Sequence, residues 1–284
     1  MPEQISEKII TDEQISSAVA AMCVQANRRL PDDVLCKLEE GLAREDHPGA
    51  RDILGQLLQN AALARERDLP LCQDTGLAVF FVELGRQARL ACDLDAAINE
   101  GVRRGYGQGW LRTSACDPFT RKNTGDNTPA IIHLELVDGE NLRICFMAKG
   151  GGSENMSRVT MLAPAQGWSG IKEYVLERVR AAGGNPCPPL VIGLGIGGNF
   201  EKAALLSKKA LLRPLDEANP DPDLREKERE LLGLVNGLGV GPMGLGGRTT
   251  CLGLHILKAP CHIASLPLAV NIQCHSSRHA EVWL

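Results

Sequence analysis

The chain has 284 residues, 31 Lys and Arg against 35 Asp and Glu, and a net charge of -4, so no basic excess exists to draw in a nucleic acid or an anionic membrane surface. Hydrophobic residues at 44% and charged residues at 23% are those of a globular protein, while aromatics at 4% and 30 glycines imply aliphatic packing with many tight turns. No run of about 18 apolar residues occurs, and the opening Met1-to-Lys8 segment lacks the basic-then-apolar layout of a signal peptide, which reads as a soluble cytoplasmic protein.

From residue 11 to 67 apolar residues recur three and four apart (Ile15, Val19, Met22, Cys23; Val34, Leu35, Leu38; Ile53, Leu54, Leu57, Leu58), which predicts helices broken near Pro31 and at Asp46-His47-Pro48-Gly49. From Leu71 the texture changes to short apolar runs, which predict strands at 77–84, 130–137, 142–148, 189–192 and 266–272. Helices are expected between them at 93–105, 169–182, 199–211 and 223–236, with a polar, proline-marked loop at 212–223. No repeat or long linker is evident. The expected fold is a single mixed α/β domain over 1–284, with a helical part over about 10–68 and a mixed part over about 69–284 carrying glycine-rich loops.

Three glycine runs bear on function. Gly193 to Gly198 follows an apolar strand and precedes a helix, and it satisfies the spacing of a dinucleotide-binding turn. However, Leu212-Arg213-Pro214-Leu215 is a poor second strand before Asp216, which favours a plainer role in close backbone packing. Lys149-Gly150-Gly151-Gly152-Ser153-Glu154-Asn155 follows another strand and is either an anion-binding concavity or an ordinary hairpin or loop. The third run, from Gly237 to Thr250, is too long and glycine-dense for a single turn.

None of the ten cysteines forms a C-x-x-C pair, so a metal site would have to be assembled from distant segments. Cys23, Cys36, Cys92 and Cys145 sit on apolar helix or strand positions and are assigned to packing. Cys72, Cys187 and Cys274 sit in loop punctuation at strand edges, 115 and 87 residues apart. Three such thiolates suit a [4Fe-4S] cluster with one open iron, although buried thiols or a catalytic cysteine fit the spacing as well.

Cys72-Gln73-Asp74-Thr75-Gly76, the Lys149 to Asn155 run, Asn185-Pro186-Cys187-Pro188-Pro189, Gly246-Gly247-Arg248-Thr249-Thr250 and the Asn271 to His279 segment together resemble the class I, iron-sulfur fumarate hydratases and L-tartrate dehydratases, in their alpha subunit or N-terminal catalytic domain. The resemblance covers nearly the whole chain from about residue 10. It implies that Cys72, Cys187 and Cys274 ligate a [4Fe-4S] cluster with an open iron site, that Gln73 and Arg112 bind substrate carboxylates, and that the Gly151-Gly152 backbone meets the substrate. It also implies that Asp74 and His262 support the catalytic base. Plainer roles stay open: Arg112 in a surface salt bridge, His262 as a structural histidine, Asp74 as a turn cap. In the family the general base and further cationic ligands come from a beta subunit or C-terminal domain, so the resemblance implies a separate beta subunit, in an α2β2 complex with the 276–284 segment near the junction. The form of the Lys149 run is closer to the fumarase branch, which favours hydration of fumarate to L-malate over dehydration of L(+)-tartrate to oxaloacetate.

Overall fold

The computed structural model describes residues 9–284; the Met1-to-Lys8 segment lies outside the described residues. In chain order the elements are β1 (Ile9–Ile10), α1 (Asp12–Arg28), α2 (Asp32–Arg44), α3 (Pro48–Arg67), β2 (Leu77–Gly85), β3 (Arg89–Leu90), α4 (Leu94–Gln108), β4 (Ile131–Val137), β5 (Leu142–Lys149), α5 (Gly151–Glu154) and β6 (Arg158–Leu162). There follow α6 (Gly167–Ala182), β7 (Leu190–Gly197), α7 (Phe200–Ala210), α8 (Pro222–Asn236), β8 (Cys251–Ala259), β9 (Leu266–Gln273) and β10 (His279–Trp283). Among the described residues no helix is long and apolar enough to cross a membrane.

These elements form two compact units. The first takes residues up to Arg29, Cys72–Lys149 and Arg278–Leu284; the second takes Leu30–Leu71 and Gly150–Ser277. The helical first quarter is therefore divided, α1 belonging to the first unit and α2 and α3 to the second.

In the first unit a four-stranded sheet runs β10-β5-β2-β4, with β5 antiparallel to β2 and β10 and with β4 parallel to β2. One face, carrying Ala78, Phe80, Val82, Ile144 and Phe146, packs with Ile15, Val19 and Met22 of α1 and Ile98 and Val102 of α4 into an aliphatic core. Helix α1 starts on a full capping box, Thr11 and Gln14 each accepting from the other's backbone N–H, and α4 starts on the Asp93 carboxylate.

In the second unit the sheet order is β6-β9-β7-β8, β9 being antiparallel to β6 and β7, and β7 parallel to β8. The link from β7 to β8 passes through α7 and α8, as a parallel pair requires. Strands β1, β3, β6, β8 and β10 were not foreseen: β1 and β3 are two residues each, Arg158 and Thr160 make β6 less apolar, Gly253 and His255 interrupt β8, and β10 closes a polar segment.

Gly193 and Gly195 lie inside β7 and not in a turn after it, which corrects the strand-turn reading of that run. A Cβ on Gly193 would stand 2.0 Å from the Ser207 carbonyl oxygen, and one on Gly195 2.0 Å from that of Ala203, so these glycines let α7 lie directly on the strand. The run serves packing: Gly193 and Gly195 lie where β7 is paired on both sides, and the Gly198 amide is taken by the Ala259 and Pro260 carbonyls. We predict that Gly193→Ala lowers stability to urea by about 3 kcal/mol or more, because the obstruction is backbone and cannot rotate away.

Candidate functional site

Each unit gathers its motif residues at one end of its sheet. In the first, the start of β2, the end of β5 and the starts of β4 and β10 share an end, Leu77 pairing Lys149, Val79 pairing Ile131 and His279 pairing Met147. The loops entering there carry Cys72 to Gly76 and Arg112, and Lys149 and Arg278 stand at the same end.

Those two loops are tied together by backbone capture. The Thr75 hydroxyl donates to the Arg112 carbonyl at 2.6 Å, and the Tyr106 hydroxyl reaches the carbonyls of Thr75 (2.9 Å) and Gly76 (3.1 Å). Asn127, fully buried, donates to the Gly76 carbonyl at 3.1 Å and accepts from the amides of Ser114 and Ala115. Burial pushes the Tyr106 phenol up, so it stays a neutral donor. Gly76 has φ 72° and a Cβ there would stand 2.7 Å from the Lys149 backbone, so only glycine permits this crossing. Asp74 is half-buried; its Oδ1 accepts from the Gly76 amide at 3.0 Å, so it does cap the turn. Gln73 and Arg112 are exposed, and Arg112 makes no ion pair among the described residues.

Arg278 was quoted in a motif but given no role by the sequence. Its side chain is buried (1% exposed), and its guanidinium donates to the Asp74 carbonyl at 2.7 Å and to Asn27 Oδ1 at 3.0 Å, while its own carbonyl accepts from the Ala148 amide. A buried cation thus fixes the Asp74 loop against α1, and the main chain of the same residue ties it to β5. The sequence signal was slight, an arginine after a Ser-Ser pair.

In the second unit, the starts of β6, β7 and β8 share an end with the finish of β9. Cys187 enters β7 and Cys274 leaves β9, so antiparallel pairing sets the two loops side by side. His275 confirms it, both its amide (3.4 Å) and its Nδ1 (3.0 Å) meeting the Cys187 carbonyl. Cys187 has φ 55°, an uncommon conformation for a residue with a side chain, held by its amide to the Gly184 carbonyl at 3.0 Å.

The Lys149 run, expected as a hairpin or loop, becomes the four-residue α5, whose first residues Gly151 and Gly152 are exposed. Buried Ser153 bonds the Gly150 carbonyl at 3.2 Å and Gln273 Oε1 at 3.5 Å, fastening this turn beside Cys274, and a Cβ on Gly152 would be 3.6 Å from the Asn185 carbonyl. The third glycine run also arrives here: Gly244 lies so close to Gly184 that a Cβ would stand 2.5 Å from its Cα. Buried Glu45 holds that run by accepting from the amides of Arg248 (2.8 Å) and Thr249 (3.1 Å). Thus Gly151, Gly152, Cys187 and Cys274 come together within one unit.

His262 does not join them. It is exposed in the turn before β9, its Nδ1 accepting from the Ala264 amide at 3.1 Å. Cys274 follows the other end of that eight-residue strand, about 27 Å of extended chain away.

Among the remaining thiols Cys261 is exposed and Cys116 half-buried. Cys23, Cys145 and Cys251 are buried, burial pushing Cys145 up to about 11 and Cys251 up to about 12, so they are inert packing groups. Cys92 is half-buried against the first unit's core. Cys36, expected to pack, is exposed, because α2 buries Val34, Leu38 and Gly41 and position 36 falls on the outward face. Cys72 and Cys274 are half-exposed and Cys187 is exposed. Among the described residues no three His, Cys, Asp or Glu side chains converge on one point as a mononuclear metal would need.

Two substitutions separate support from function. Arg278→Met leaves two buried acceptors unsatisfied and should lower stability by about 2–4 kcal/mol, whereas Arg112→Ala should change it by no more than about 0.5 kcal/mol, both read from urea melts.

The fumarate hydratase (Fumerase) family model matches residues 16–283. A Methanocaldococcus jannaschii protein provisionally named L(+)-tartrate dehydratase subunit alpha is 40% identical over 275 residues, covering 94% of this chain and 96% of the relative. The L(+)-tartrate dehydratase subunit alpha of Escherichia coli strain UTI89 is 33% identical over 273 residues, covering 95% of this chain and 90% of the relative. The chain belongs to the fumarate hydratase family of hydro-lyases.

Proposed function

We propose that the chain is the cytoplasmic alpha subunit of a [4Fe-4S] hydro-lyase that interconverts fumarate and L-malate, Cys72, Cys187 and Cys274 holding the cluster and a beta subunit supplying the general base in an α2β2 complex. The observation that carries this reading is the side-by-side setting of the Cys187 and Cys274 loops, with the exposed Gly151-Gly152 turn fastened beside them. The donor set fits the group: three accessible thiols in loops, each on a motif, with the other buried thiols held protonated. Three ligands of a cubane each take a different iron, so their side chains need not converge on one point.

When bound, such a cluster supplies a Lewis-acidic iron that draws electron density from a departing hydroxyl. The chain's own residues position the dicarboxylate. Arg112, exposed on a loop locked by Thr75, presents a planar fork that grips one carboxylate with two charge-assisted hydrogen bonds. Gln73 adds a neutral donor to the substrate, and the Gly151-Gly152 backbone is open to close approach. Asp74 is held by the Gly76 amide and the Arg278 guanidinium, which fixes its carboxylate to orient a base brought by the beta chain. His262 is assigned no contact with its own chain's thiols.

A second reading, L(+)-tartrate dehydration, is supported by the names of the relatives. Both substrates are dicarboxylates that exchange water next to a carboxylate, so the same residues serve either.

The thiol assignment is tested without activity. Purified without oxygen, Cys72→Ser, Cys187→Ser and Cys274→Ser should each lose the brown chromophore and most of the iron, while Cys36→Ser keeps both; full iron in Cys187→Ser contradicts the assignment. Arg112→Ala should keep iron and assembly yet reduce kcat/KM by about 2–4 kcal/mol, roughly 10²-fold, with Arg112→Lys recovering only part. An unchanged kcat/KM removes Arg112 from the site.

A further inference from the structure

Two large aromatic side chains of the first unit are almost wholly in water: Trp110 is 89% exposed and Phe119 93% exposed, against 59% for Trp283. Both lie on the segment between α4 and β4 that also carries Arg112. This segment is not loose chain. Leu111 is buried and its amide bonds the Tyr106 carbonyl at 3.0 Å; Asn127 pins the amides of Ser114 and Ala115; Cys116 and Asn123 pair as a small antiparallel bridge. Beyond the bridge the Asp117 amide bonds the Lys122 carbonyl at 2.9 Å, and the Asp117 carboxylate accepts from the amides of Phe119 (3.0 Å) and Thr120 (2.6 Å). The result is a short braced finger with Phe119 at its tip and Trp110 at its base.

Trp110 also has φ 54°, a left-handed conformation that a bulky side chain adopts only when its surroundings force it. Its ring gains no burial in the chain to offset that strain. Rigid, exposed aromatics of this kind are what partner recognition uses: tryptophan is enriched in interaction hot spots, and a braced loop loses little freedom on binding.

We propose that this finger, through Trp110 and Phe119, is a docking surface for the beta subunit. The proposal rests on the reading above that Arg112 holds substrate while the beta chain brings the base. A base acts only within hydrogen-bond reach of its proton, about 3 Å. A beta chain that reaches a four-carbon substrate gripped by Arg112 therefore closes over Arg112 and its neighbours, and the Trp110 Cα lies at most about 7 Å along the chain from that of Arg112. The alpha-subunit names of the relatives agree with a second kind of chain as the occupant.

The test titrates the separately purified beta subunit of the same enzyme into the iron-loaded alpha chain and its variants. Trp110→Gly and Phe119→Ser should each weaken association at least tenfold with unchanged circular dichroism, and Trp110→Gly should raise the Tm of the isolated alpha chain by relieving the left-handed strain. Arg112→Ala should bind the beta chain normally while losing turnover. Wild-type affinity in both aromatic variants overturns the proposal, as does a change confined to self-association of the alpha chain, which would make a second copy the occupant. Loss of affinity in the aromatic variants, in a wild-type complex that turns over no 2-hydroxy dicarboxylate, upholds the docking surface and overturns the catalytic reading instead.

Discussion

The buried guanidinium of Arg278 is the constraint on which the first unit's site depends. A charge taken out of water must be met by hydrogen bonds, and Arg278 finds them in the Asp74 carbonyl and in Asn27 of α1. Because those acceptors lie on different elements, satisfying one side chain fixes a loop to a helix, and the residue's own carbonyl ties both to β5 through the Ala148 amide. Thr75, Tyr106 and Asn127 then fasten the Arg112 loop to the same frame through backbone carbonyls and amides. Most of the holding is done through main-chain groups, and Gln73 and Arg112 keep their side chains exposed.

The second unit solves the same problem with glycine. Its segments approach until no Cβ fits, the Gly244 loop against Gly184 and Gly193 of β7 against α7, and the carboxylate of Glu45 gathers the amides of the longest run. Strand order does the rest. Since β7 and β9 are antiparallel, residues almost ninety positions apart enter and leave at one edge, bringing Cys187 and Cys274 into adjacent loops.

Much of this was legible in the sequence where a physical period repeats. Helices α6, α7 and α8 fall within two residues of their expected bounds, and the apolar runs of β2, β5 and β9 were strands as read. Strand β8 was obscured by Gly253 and His255, and the glycines of β7 were mistaken for a turn because spacing does not reveal what lies across the sheet. The motifs singled out Cys72, Cys187, Cys274 and Asp74, whereas Thr75, Tyr106, Asn127 and Arg278 are ordinary polar residues whose importance arises only from the backbone groups and side chains they meet. The separation of His262 from Cys274 was equally hidden, since it follows from the direction of β9 and not from the twelve-residue interval.

The most direct measurement of the central claim is anaerobic turnover of fumarate, L-malate and L(+)-tartrate by the iron-loaded alpha chain, alone and with its beta subunit. The account predicts that the alpha chain alone is inactive with its iron retained, and that the pair hydrates fumarate without any nicotinamide cofactor. Robust turnover by the alpha chain alone, or none by the pair on any of the three, would contradict it.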